Sequence, residues 1–478
     1  MFINVSLWQS VALERKGYNI APGCPAMTSL TFYGGAGEIG GNKILLQDKD
    51  AKIYLDFGEE FNFGEEYFWE YLQPRAANGL EVYFEFDLVP EVPKLYSRKM
   101  LERTGLKYRE PDVDAVIISH IHSDHMGHLL FLDEGIPVYM GHGTRRLAEI
   151  YHKLYPAFFS IGVHSSIREF SSGEKFRVKH LEVEPIHVEH SAPGAYGFII
   201  STGRGNIVYT GDFRVHGPRK DMTEEFIRKA KEARPYAMLC EGTRIESETE
   251  HNFTEKEVEE RVSGIVSGAR GLVFGYFSMS NIDRFMSFYR AAKANGRKLV
   301  IDTRLAYLVQ GMREKVPVLP DPKKDRNLKV YYRLAKSCTF CEKDYYVWER
   351  EFMGNMVTYE DVKKKPREYL MHLNFNRLIE LVYLQPEKAD FIYSSSEHFL
   401  EGEGNEEEKK RWEAWMSHFG IEFHKAHCSG HASKEDLERV IKEVNPEVLI
   451  PIHTNKPEEF KKFHKNVLIP EKGEKIEL

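Results

Sequence analysis

Short apolar runs that end in polar or turn-forming residues recur along the first half of the chain. Runs of four to six residues rich in β-branched and aromatic side chains predict strands. Many of these runs lead directly into Gly, Asp, Ser or Glu, and the ends of strands are where an α/β sheet presents functional residues. The predicted strands are Ser29–Tyr33, Lys43–Leu46, Lys52–Leu55, Ala115–Ile118, Pro137–Met140, Gly197–Ile200, Asn206–Tyr209 and Ala237–Cys240.

The pattern changes from about Ser247 to Ile421, where helical periodicity alternates with short strands. The clearest examples are the helices Glu255–Ser267 and Ile282–Ala294 and the strands Leu272–Gly275 and Lys298–Ile301. Such alternation predicts an α/β unit with a parallel sheet. The polar stretch Glu401–Lys410 is predicted to be a loop with a solvated charged face.

The end of the chain again shows an apolar strand followed by a polar residue, as in the first half. A predicted helix, Lys434–Val444, leads into the strand Val448–Pro451, and His453 follows. The first 26 residues precede any strand pattern and lack the apolar centre of a signal peptide. We therefore interpret residues 1–26 as an extension, either a native peripheral segment or the product of an over-long translation start.

Length and charge bound the class of protein. A chain of 478 residues accommodates two or three domains, and no apolar run reaches the ~18–20 residues that cross a bilayer. We expect no membrane partner. The net charge of −7 does not support a binder of nucleic acid over the whole surface, although a local basic field would suffice. Five scattered cysteines do not form a secreted disulfide framework, which favours the cytoplasm.

Two other motifs carry little weight. Cys338 and Cys341 form a single CxxC pair, whereas a structural zinc needs four ligands. Gly35–Gly40 fits the GxGxxG pattern after a strand, but the next segment, Lys43–Leu46, is predicted as a strand. Because the dinucleotide fingerprint requires a helix at that position, we expect a tight hairpin beside the functional cleft.

The strongest chemical motif follows the strand Ala115–Ile118. His120 and His122 alternate, so that both imidazoles can face one side, and Asp124 and His125 follow at once. Nitrogen and oxygen donors grouped in this way suit Zn²⁺ and tolerate Mn²⁺. Three imidazoles and a carboxylate would crowd without a metal, so we predict a metal site here.

The motif resembles the HxHxDH signature of the metallo-β-lactamase superfamily, and further positions agree in order. Asp56 resembles the residue that orients a ligand histidine, His190 resembles the third-motif ligand, and Asp212 resembles the carboxylate that bridges two metals. His187 competes with His190, but a His-Ser step followed by a turn fits the family pattern better.

The resemblance continues through an inserted domain, as in the β-CASP nucleases. Glu241, His431 and His453 resemble their motifs A, B and C. The implied fold is an αββα metallo-β-lactamase sandwich with an inserted α/β β-CASP domain. The implied division is 1–26 (extension), 27–246 (first part of the metallo-β-lactamase domain), 247–421 (insert) and 422–478 (return segment).

The resemblance also implies a ligand set and a chemistry. His120, His122 and His190 would hold one Zn²⁺, and Asp124, His125 and His453 the other, with Asp212 between them. Two such ions can clamp a phosphodiester. Asp124 would also steer the attacking water, and His431, hydrogen-bonded to Glu241, would protonate the leaving oxygen.

The substrate implied by the resemblance is single-stranded RNA. Histidine at motif C is typical of the RNA-processing branches, and the form of motif B resembles ribonuclease J, in which a phosphate pocket favours 5′ ends. His427 and Ser429 would belong to that pocket. Ser394 and Ser395 would add hydroxyl donors or would be only a turn, and both readings stay open.

Several alternatives remain at this point. A hydrolase of a small phosphoester, lactone or thioester, capped by the insert, is one rival, and a non-catalytic RNA-binding scaffold is another. Exonuclease or endonuclease action, and whether the protein is a homo-oligomer, are open. An aromatic-rich stretch within 59–109 would stack bases or form a core under a long loop; its residues are Phe61, Phe63, Tyr67, Phe68, Trp69, Tyr71, Tyr83, Phe84 and Phe86.

Overall fold

The computed structural model describes residues 28–61, 64, 67–68, 72–156, 166–246, 253–396 and 406–478. Strands in these residues form three sheets. The predicted extension 1–26 lies outside the described residues, as do Phe63, Trp69 and Tyr71. No helix in the described part of the chain combines the length and apolarity needed to span a membrane.

The first sheet contains strands from both ends of the chain. Its strands are β1 (Ser29–Gly34), β2 (Lys43–Asp48), β3 (Ala51–Leu55), β4 (Ala115–Ile118), β5 (Val138–Gly141), β6 (Ile167–Phe170) and β20 (Lys475–Glu477). The order is β20-β1-β2-β3-β4-β5-β6. The pairs from β20 to β3 are antiparallel, and those from β3 to β6 are parallel.

The second sheet also receives a returning strand. It consists of β7 (Phe176–Val178), β8 (Leu181–Val188), β9 (Ala195–Thr202), β10 (Gly205–Tyr209), β11 (Ala237–Glu241) and β19 (Val448–Ile452). The order is β19-β11-β10-β9-β8-β7, and the contiguous strands β10, β11 and β19 run parallel. The carboxyl ends of these three strands therefore meet at one edge.

The two sheets pack face to face around one buried cluster. Ile117 on the first sheet and Phe198 and Ile450 on the second belong to this cluster. Alternate residues of β4, such as Val116 and Ile118, instead face the outer layer. Because β4 is covered on both faces, its sequence is a continuous apolar run. The arrangement confirms the predicted αββα sandwich.

The helices cover the outer faces of the sheets. They are α1 (Glu81–Glu85), α2 (Arg98–Leu101), α3 (Ser123–Met126), α4 (His142–Leu154), α5 (Lys220–Glu232), α6 (Glu255–Gly268), α7 (Ile282–Ala294), α8 (Thr303–Met312), α9 (Val347–Arg350), α10 (Tyr359–Lys364), α11 (Glu380–Leu384), α12 (Glu406–His418) and α13 (Lys434–Val444). Helices α5 and α13 pack on the second sheet, where Phe226 and Leu437 share a cluster with Val208.

The third sheet is the predicted parallel α/β unit. Its strands are β12 (Val273–Tyr276), β13 (Lys298–Asp302), β14 (Leu328–Tyr331), β15 (Met356–Val357), β16 (Tyr369–His372), β17 (Asp390–Tyr393) and β18 (Glu422–Lys425). Every pair is parallel, in the order β15-β14-β13-β16-β12-β17-β18. By sheet membership this unit extends through Lys425, one strand past the predicted division at residue 421.

One local prediction was wrong. Residues 406–410 of the predicted loop form the first turns of α12, while residues 401–405 lie outside the described residues. The helix buries Trp412 and Met416, which are four positions apart and share one face. Three glutamates in its first turn also interact favourably with the helix dipole, so a charged stretch here begins a helix.

Candidate metal centre

The predicted site residues lie at the carboxyl ends of strands from the two facing sheets. Asp56 follows β3, the His120–His125 segment follows β4, and Asp212 lies three residues after β10. Glu241 is the last residue of β11, and His453 follows β19 directly. Parallel pairing of β3 with β4, and of β10 with β11 and β19, brings these ends together.

Three imidazoles converge at the first position. His120 Nε2 lies 3.0 Å from His122 Nδ1, which lies 3.0 Å from His190 Nε2. His190 Nδ1 donates a 2.6 Å hydrogen bond to the Gly430 carbonyl oxygen, which fixes the ring with Nε2 facing its neighbours. The alternative histidine, His187, lies on β8 against the Tyr196 ring, outside this cluster.

Two carboxylates and two imidazoles form the second position. His453 Nε2 lies 2.9 Å from Asp124 Oδ2, and His125 Nε2 lies 3.0 Å from Asp212 Oδ2. Asp212 Oδ2 is also 3.6 Å from His120 Nε2, a member of the first cluster. Asp212 therefore stands between the two clusters, where the sequence resemblance put the bridging carboxylate.

Burial and neighbouring charges set the protonation states. Burial lowers the pKa of His120 and His190 well below the usual range and that of His122 to about 4, so these rings are neutral near pH 7. Burial would raise the pKa of Asp124, but the adjacent His125 and His453 hold it well below the usual range. Neutral imidazoles and ionised carboxylates are the forms that bind metal ions. Burial would lower the pKa of His125, but the carboxylates of Asp212, Asp124 and Asp56 raise it well above the usual range, so this ring must lose a proton to bind a metal ion.

The donor set fits divalent metal ions. Ligand nitrogens at ~2.1 Å from one tetrahedral zinc would lie roughly 3.3–3.4 Å apart, close to the separations between His122 and its two neighbours. Asp212 Oδ1 is buried and has no hydrogen-bond partner among the described residues. An unpaired buried carboxylate oxygen is costly unless a cation lies beside it. Within each of the two clusters, the possible ligand atoms lie within 4.8 Å of one another.

Residues that sequence reasoning missed hold Asp56 in place. Asp56 accepts hydrogen bonds from the Ser119 backbone NH (2.7 Å), the Ser119 hydroxyl (2.8 Å) and the Tyr209 hydroxyl (2.5 Å). His125 Nδ1 lies 2.7 Å from the same carboxylate. Ser119 directly precedes His120. A polar residue at the end of a strand could therefore have identified Ser119 as a site residue from the sequence. Nothing in the sequence connects Tyr209 to Asp56.

Glu241 and His431 form a pair beside the two clusters. His431 Nδ1 lies 3.2 Å from Glu241 Oε2 and 3.9 Å from Asp212 Oδ2. Burial would lower the pKa of His431, but the Glu241 carboxylate raises it to about 9. Thr243, also missed from the sequence, donates its hydroxyl to Glu241 Oε2 (2.9 Å), and its Oγ1 lies 2.8 Å from His453 Nδ1.

The four predicted phosphate-binding residues lie in two neighbouring segments. Ser394 is buried, and its hydroxyl donates to the Ala426 carbonyl oxygen, whereas Ser395 is partly exposed. His427 and Ser429 belong to the loop that also carries His431, and Ser429 Oγ accepts from the His431 backbone NH at 3.1 Å. Of the two predicted serines after β17, Ser395 has the more accessible side chain.

The glycine-rich segment is a hairpin, as expected, since β2 follows it. Gly40 has a φ of 80°, and a Cβ there would lie 2.9 Å from Asp124 Cβ and 2.8 Å from the Phe61 ring. A side chain at this position would displace the metal-site loop, so the glycine serves close packing. The Gly35 carbonyl oxygen accepts from the His453 backbone NH at 2.8 Å.

Much of the described aromatic-rich stretch forms the predicted core, whereas its role in stacking bases stays a prediction. Tyr83 and Phe84 belong to the buried core, and Phe68 packs against it. Phe61 is 43% exposed, and its ring centroid lies 6.5 Å from that of His453. Among the described residues only Phe61 of this stretch contacts the site residues through a ring. The exposed Cys338 and Cys341 join none of the metal-ligating groups found there.

Two family models match the chain. The model described as "Beta-lactamase superfamily domain" matches residues 86–248. The model described as "Zn-dependent metallo-hydrolase RNA specificity domain" matches residues 421–470, which include His427, His431 and His453. The fold, the two ligand clusters and the two family models together define a metal-dependent hydrolase of the metallo-β-lactamase class.

Curated relatives and a solved structure agree with this class. Ribonuclease J of Sinorhizobium meliloti is 26% identical over 72% of this chain, which spans 58% of that relative's length. Ribonuclease J of Methanocaldococcus jannaschii is 24% identical, over 76% of this chain and 81% of the relative. A crystal structure of a protein of unknown function from Enterococcus faecalis matches 95% of this chain with a TM-score of 0.73 and 25% identity. The two models and these relatives show that the chain resembles the metallo-β-lactamase superfamily and, within it, the β-CASP, ribonuclease J-like family.

Proposed function

We propose that this chain is a two-zinc ribonuclease that removes nucleotides from the 5′ end of single-stranded RNA in the cytoplasm. The observation that carries the proposal is the Glu241–His431 pair, 3.2 Å apart, beside the carboxylate shared by the two ligand clusters. A proton donor next to a two-metal site suits phosphodiester hydrolysis, in which the leaving oxygen must be protonated. The relatives named ribonuclease J and the RNA-specificity model support RNA as the substrate.

The ligand clusters would hold two ions, with zinc preferred and manganese tolerated. One ion would be bound by His120, His122 and His190. The other ion would be bound by Asp124, His125 and His453, and Asp212 would contact both ions. Two divalent ions supply positive charge to the phosphoryl oxygens and a nucleophile at neutral pH.

The chain's own residues perform the proton transfers. The Asp124 carboxylate, whose Oδ2 lies 2.9 Å from His453 Nε2, orients the attacking water by accepting its hydrogen bond. His431 donates its proton to the leaving oxygen of the RNA. Glu241 keeps the His431 ring oriented, since Glu241 itself accepts from the Phe213 backbone NH (3.1 Å) and from Thr243.

The loop of residues 427–431 supports action at an RNA end. It contributes the imidazole of His427 and the hydroxyl of Ser429, and its Gly430 carbonyl oxygen holds the ligand His190. Ser395, partly exposed after β17, would add a third donor. A terminal phosphate bound by these groups would put the first phosphodiester of the RNA at the metal centre.

The decisive experiment compares the parent with Asp124→Ala on 5′-labelled single-stranded RNA in Zn²⁺ or Mn²⁺. The expected result is labelled mononucleotide from the parent and intact RNA from the variant. The exposed Asp221→Ala, which removes a carboxylate bound to Arg219, is the matched control and should retain the parent's activity.

Other product patterns lead to different conclusions. Longer labelled fragments would establish internal cutting in place of 5′ exonuclease action. If neither RNA nor DNA is cut while the parent binds two metals, the proposal is wrong, and hydrolysis of a small phosphoester takes its place.

A further inference from the structure

A buried clamp of Glu189, Arg214 and Thr223 joins the segments that carry the ligands His190 and Asp212. Glu189 directly precedes His190, and Arg214 lies two positions after Asp212. The Arg214 backbone NH donates to the Glu189 carbonyl oxygen at 2.7 Å. The Thr223 hydroxyl accepts from the Glu189 backbone NH at 2.9 Å and donates to the Arg214 carbonyl oxygen at 2.9 Å. The two ligand-bearing segments are therefore tied to one another.

The side chain of Arg214 connects this clamp to the third-sheet unit. It is fully buried, and its Nη2 donates to Asp283 Oδ2 at 2.9 Å and to Glu189 Oε1 at 3.4 Å. Asp283 lies in the first turn of α7. Nε and Nη1 have no hydrogen-bond partner among the described residues, although Nη1 lies 3.8 Å from Glu255 Oε2. Asp283 therefore makes the closest polar contact of this guanidinium.

The other nearby carboxylate of the third-sheet unit is already paired. Glu255 forms a two-point ion pair with Arg284, at 2.7 Å and 3.2 Å. Burial raises the pKa of Asp283, and the Arg214 guanidinium is the charge that acts most strongly against this rise. Because a buried charge depends on its partner, removing the Asp283 carboxylate leaves the clamp without its nearest counter-charge from this unit.

We infer that Asp283 is a positioning residue that acts on the metal centre through Arg214. Its carboxylate holds the guanidinium when the third-sheet unit is in place, and the clamp then keeps the segments of His190 and Asp212 side by side. The inference rests on the two-metal site of the proposed function and adds a link from the third-sheet unit to two of its ligands. Asp283 belongs to none of the metal-ligating groups found among the described residues, so it acts on a bound ion only through other side chains.

A set of variants separates this link from a general loosening of the contact between the units. Asp283→Ala removes the carboxylate, and Asp283→Glu keeps the charge. The matched control is Arg146→Gln, because Arg146 on α4 also contacts the third-sheet unit, at the Gly311 carbonyl oxygen (3.0 Å), but is not part of the clamp. Arg214→Gln provides a background that lacks the link. Asp283→Asn, which removes the charge and keeps the shape, replaces Asp283→Ala if that variant does not fold.

The first test uses Co²⁺ as the only metal. Its affinity is measured against a competing chelator, and its visible spectrum reports the ligand geometry. We expect Asp283→Ala to shift the spectrum and to weaken Co²⁺ binding about 2-fold to 30-fold, the range typical of coupling through packed side chains. Asp283→Glu and Arg146→Gln should match the parent. An unchanged spectrum and affinity in Asp283→Ala, or an equal change in Arg146→Gln, would overturn the inference.

The same measurement in the Arg214→Gln background tests the route of the effect. Adding Asp283→Ala to Arg214→Gln should change neither the spectrum nor the affinity further, because the link is already broken. A further change as large as that in the parent would show that Asp283 acts through another residue, and the inference would be wrong.

The second test measures kcat and KM on single-stranded RNA at saturating Zn²⁺. We expect Asp283→Ala to lower kcat about 2-fold to 30-fold with little change in KM, because displaced ligands affect the chemical step more than the binding of RNA. A loss through KM alone would assign Asp283 to RNA binding and overturn the inference. A parent that cleaves no RNA would instead remove the proposed function. The Co²⁺ measurement would still decide the role of Asp283, so the two failures are distinguishable.

Discussion

Asp56 and His125 are separated by 69 positions in the chain, yet His125 Nδ1 lies 2.7 Å from Asp56 Oδ2, and both side chains are fully buried. This contact leaves His125 Nε2 facing Asp212 at 3.0 Å. Asp56 is held by Ser119 and Tyr209, so the orientation of the ligand ring is fixed from outside the ligand set. Such supporting carboxylates raise ligand basicity as well as fixing the ring.

Replacing Asp56 by Asn is expected to weaken metal binding at the second position about 10-fold to 100-fold, the usual effect of losing such a supporting group. The amide removes the negative charge beside His125 but keeps the size of the side chain. Zinc affinity measured against a competing chelator tests the expectation. The matched control is Asp48→Asn, which removes a buried carboxylate 2.7 Å from His180, away from the ligand clusters. Equal losses of affinity in both variants would contradict the assigned role of Asp56.

The His431→Gln variant is expected to lose RNA cleavage by about 10²-fold to 10⁴-fold, the contribution typical of a general acid. The same variant should lose much less activity on bis(p-nitrophenyl) phosphate, because p-nitrophenolate departs without a proton. Comparing kcat/KM for both substrates, with metal content measured in parallel, separates the two roles. His424→Gln is the control, since His424 also pairs with a carboxylate, Asp390, at 2.9 Å but lies on β18. Equal losses on both substrates would assign His431 to metal binding.

The chemistry of the site was predictable where it is local in sequence. The buried strand β4 has four residues and ends two positions before His120. A short apolar run followed by clustered ligand residues therefore allowed the metal site to be predicted from the sequence. The parallel third sheet was predictable because its helices and strands alternate with clear periodicity. The end residues of α7 and α13 agree with the sequence prediction, since Asn281 and Ser433 cap their first turns through side-chain hydrogen bonds.

Long-range contacts were not predictable. Thr243 and His453 are separated by 210 positions, and His190 and Gly430 by 240, so no spacing rule relates them. The strand β6 was also missed, because its central residues Arg168 and Glu169 are exposed and interrupt the apolar pattern. Such pairings depend on how the sheets assemble, which a single sequence does not encode in local spacing.

Removing the metals should destabilise the fold as well as abolish activity. Asp124 and Asp212 are buried carboxylates whose charges a bound cation would balance. A site held at 100 times its Kd contributes about 2.7 kcal/mol to stability. We expect chelator-treated protein to melt at a lower temperature and zinc to restore the melting temperature. The Asp124→Ala variant should show a smaller difference between the treated and zinc-loaded forms, and an equal difference would argue that the ions bind elsewhere.

The buried ion pair between Glu255 and Arg284 predicts a loss of stability in acid. Burial alone would raise the pKa of Glu255, but the Arg284 guanidinium lowers it to about 2, from an ordinary value of 4.5. Because the folded-state pKa lies below the unfolded one, the stabilisation is complete above pH 4.5 and is lost as the pH falls toward 2. A shift of this size corresponds to about 3 kcal/mol. Urea unfolding at pH 6, 4 and 3 should show the parent losing more stability than Glu255→Gln, because the amide has no proton to bind. Parallel losses in the two proteins would show that Glu255 titrates normally and that Arg284 is compensated by another group.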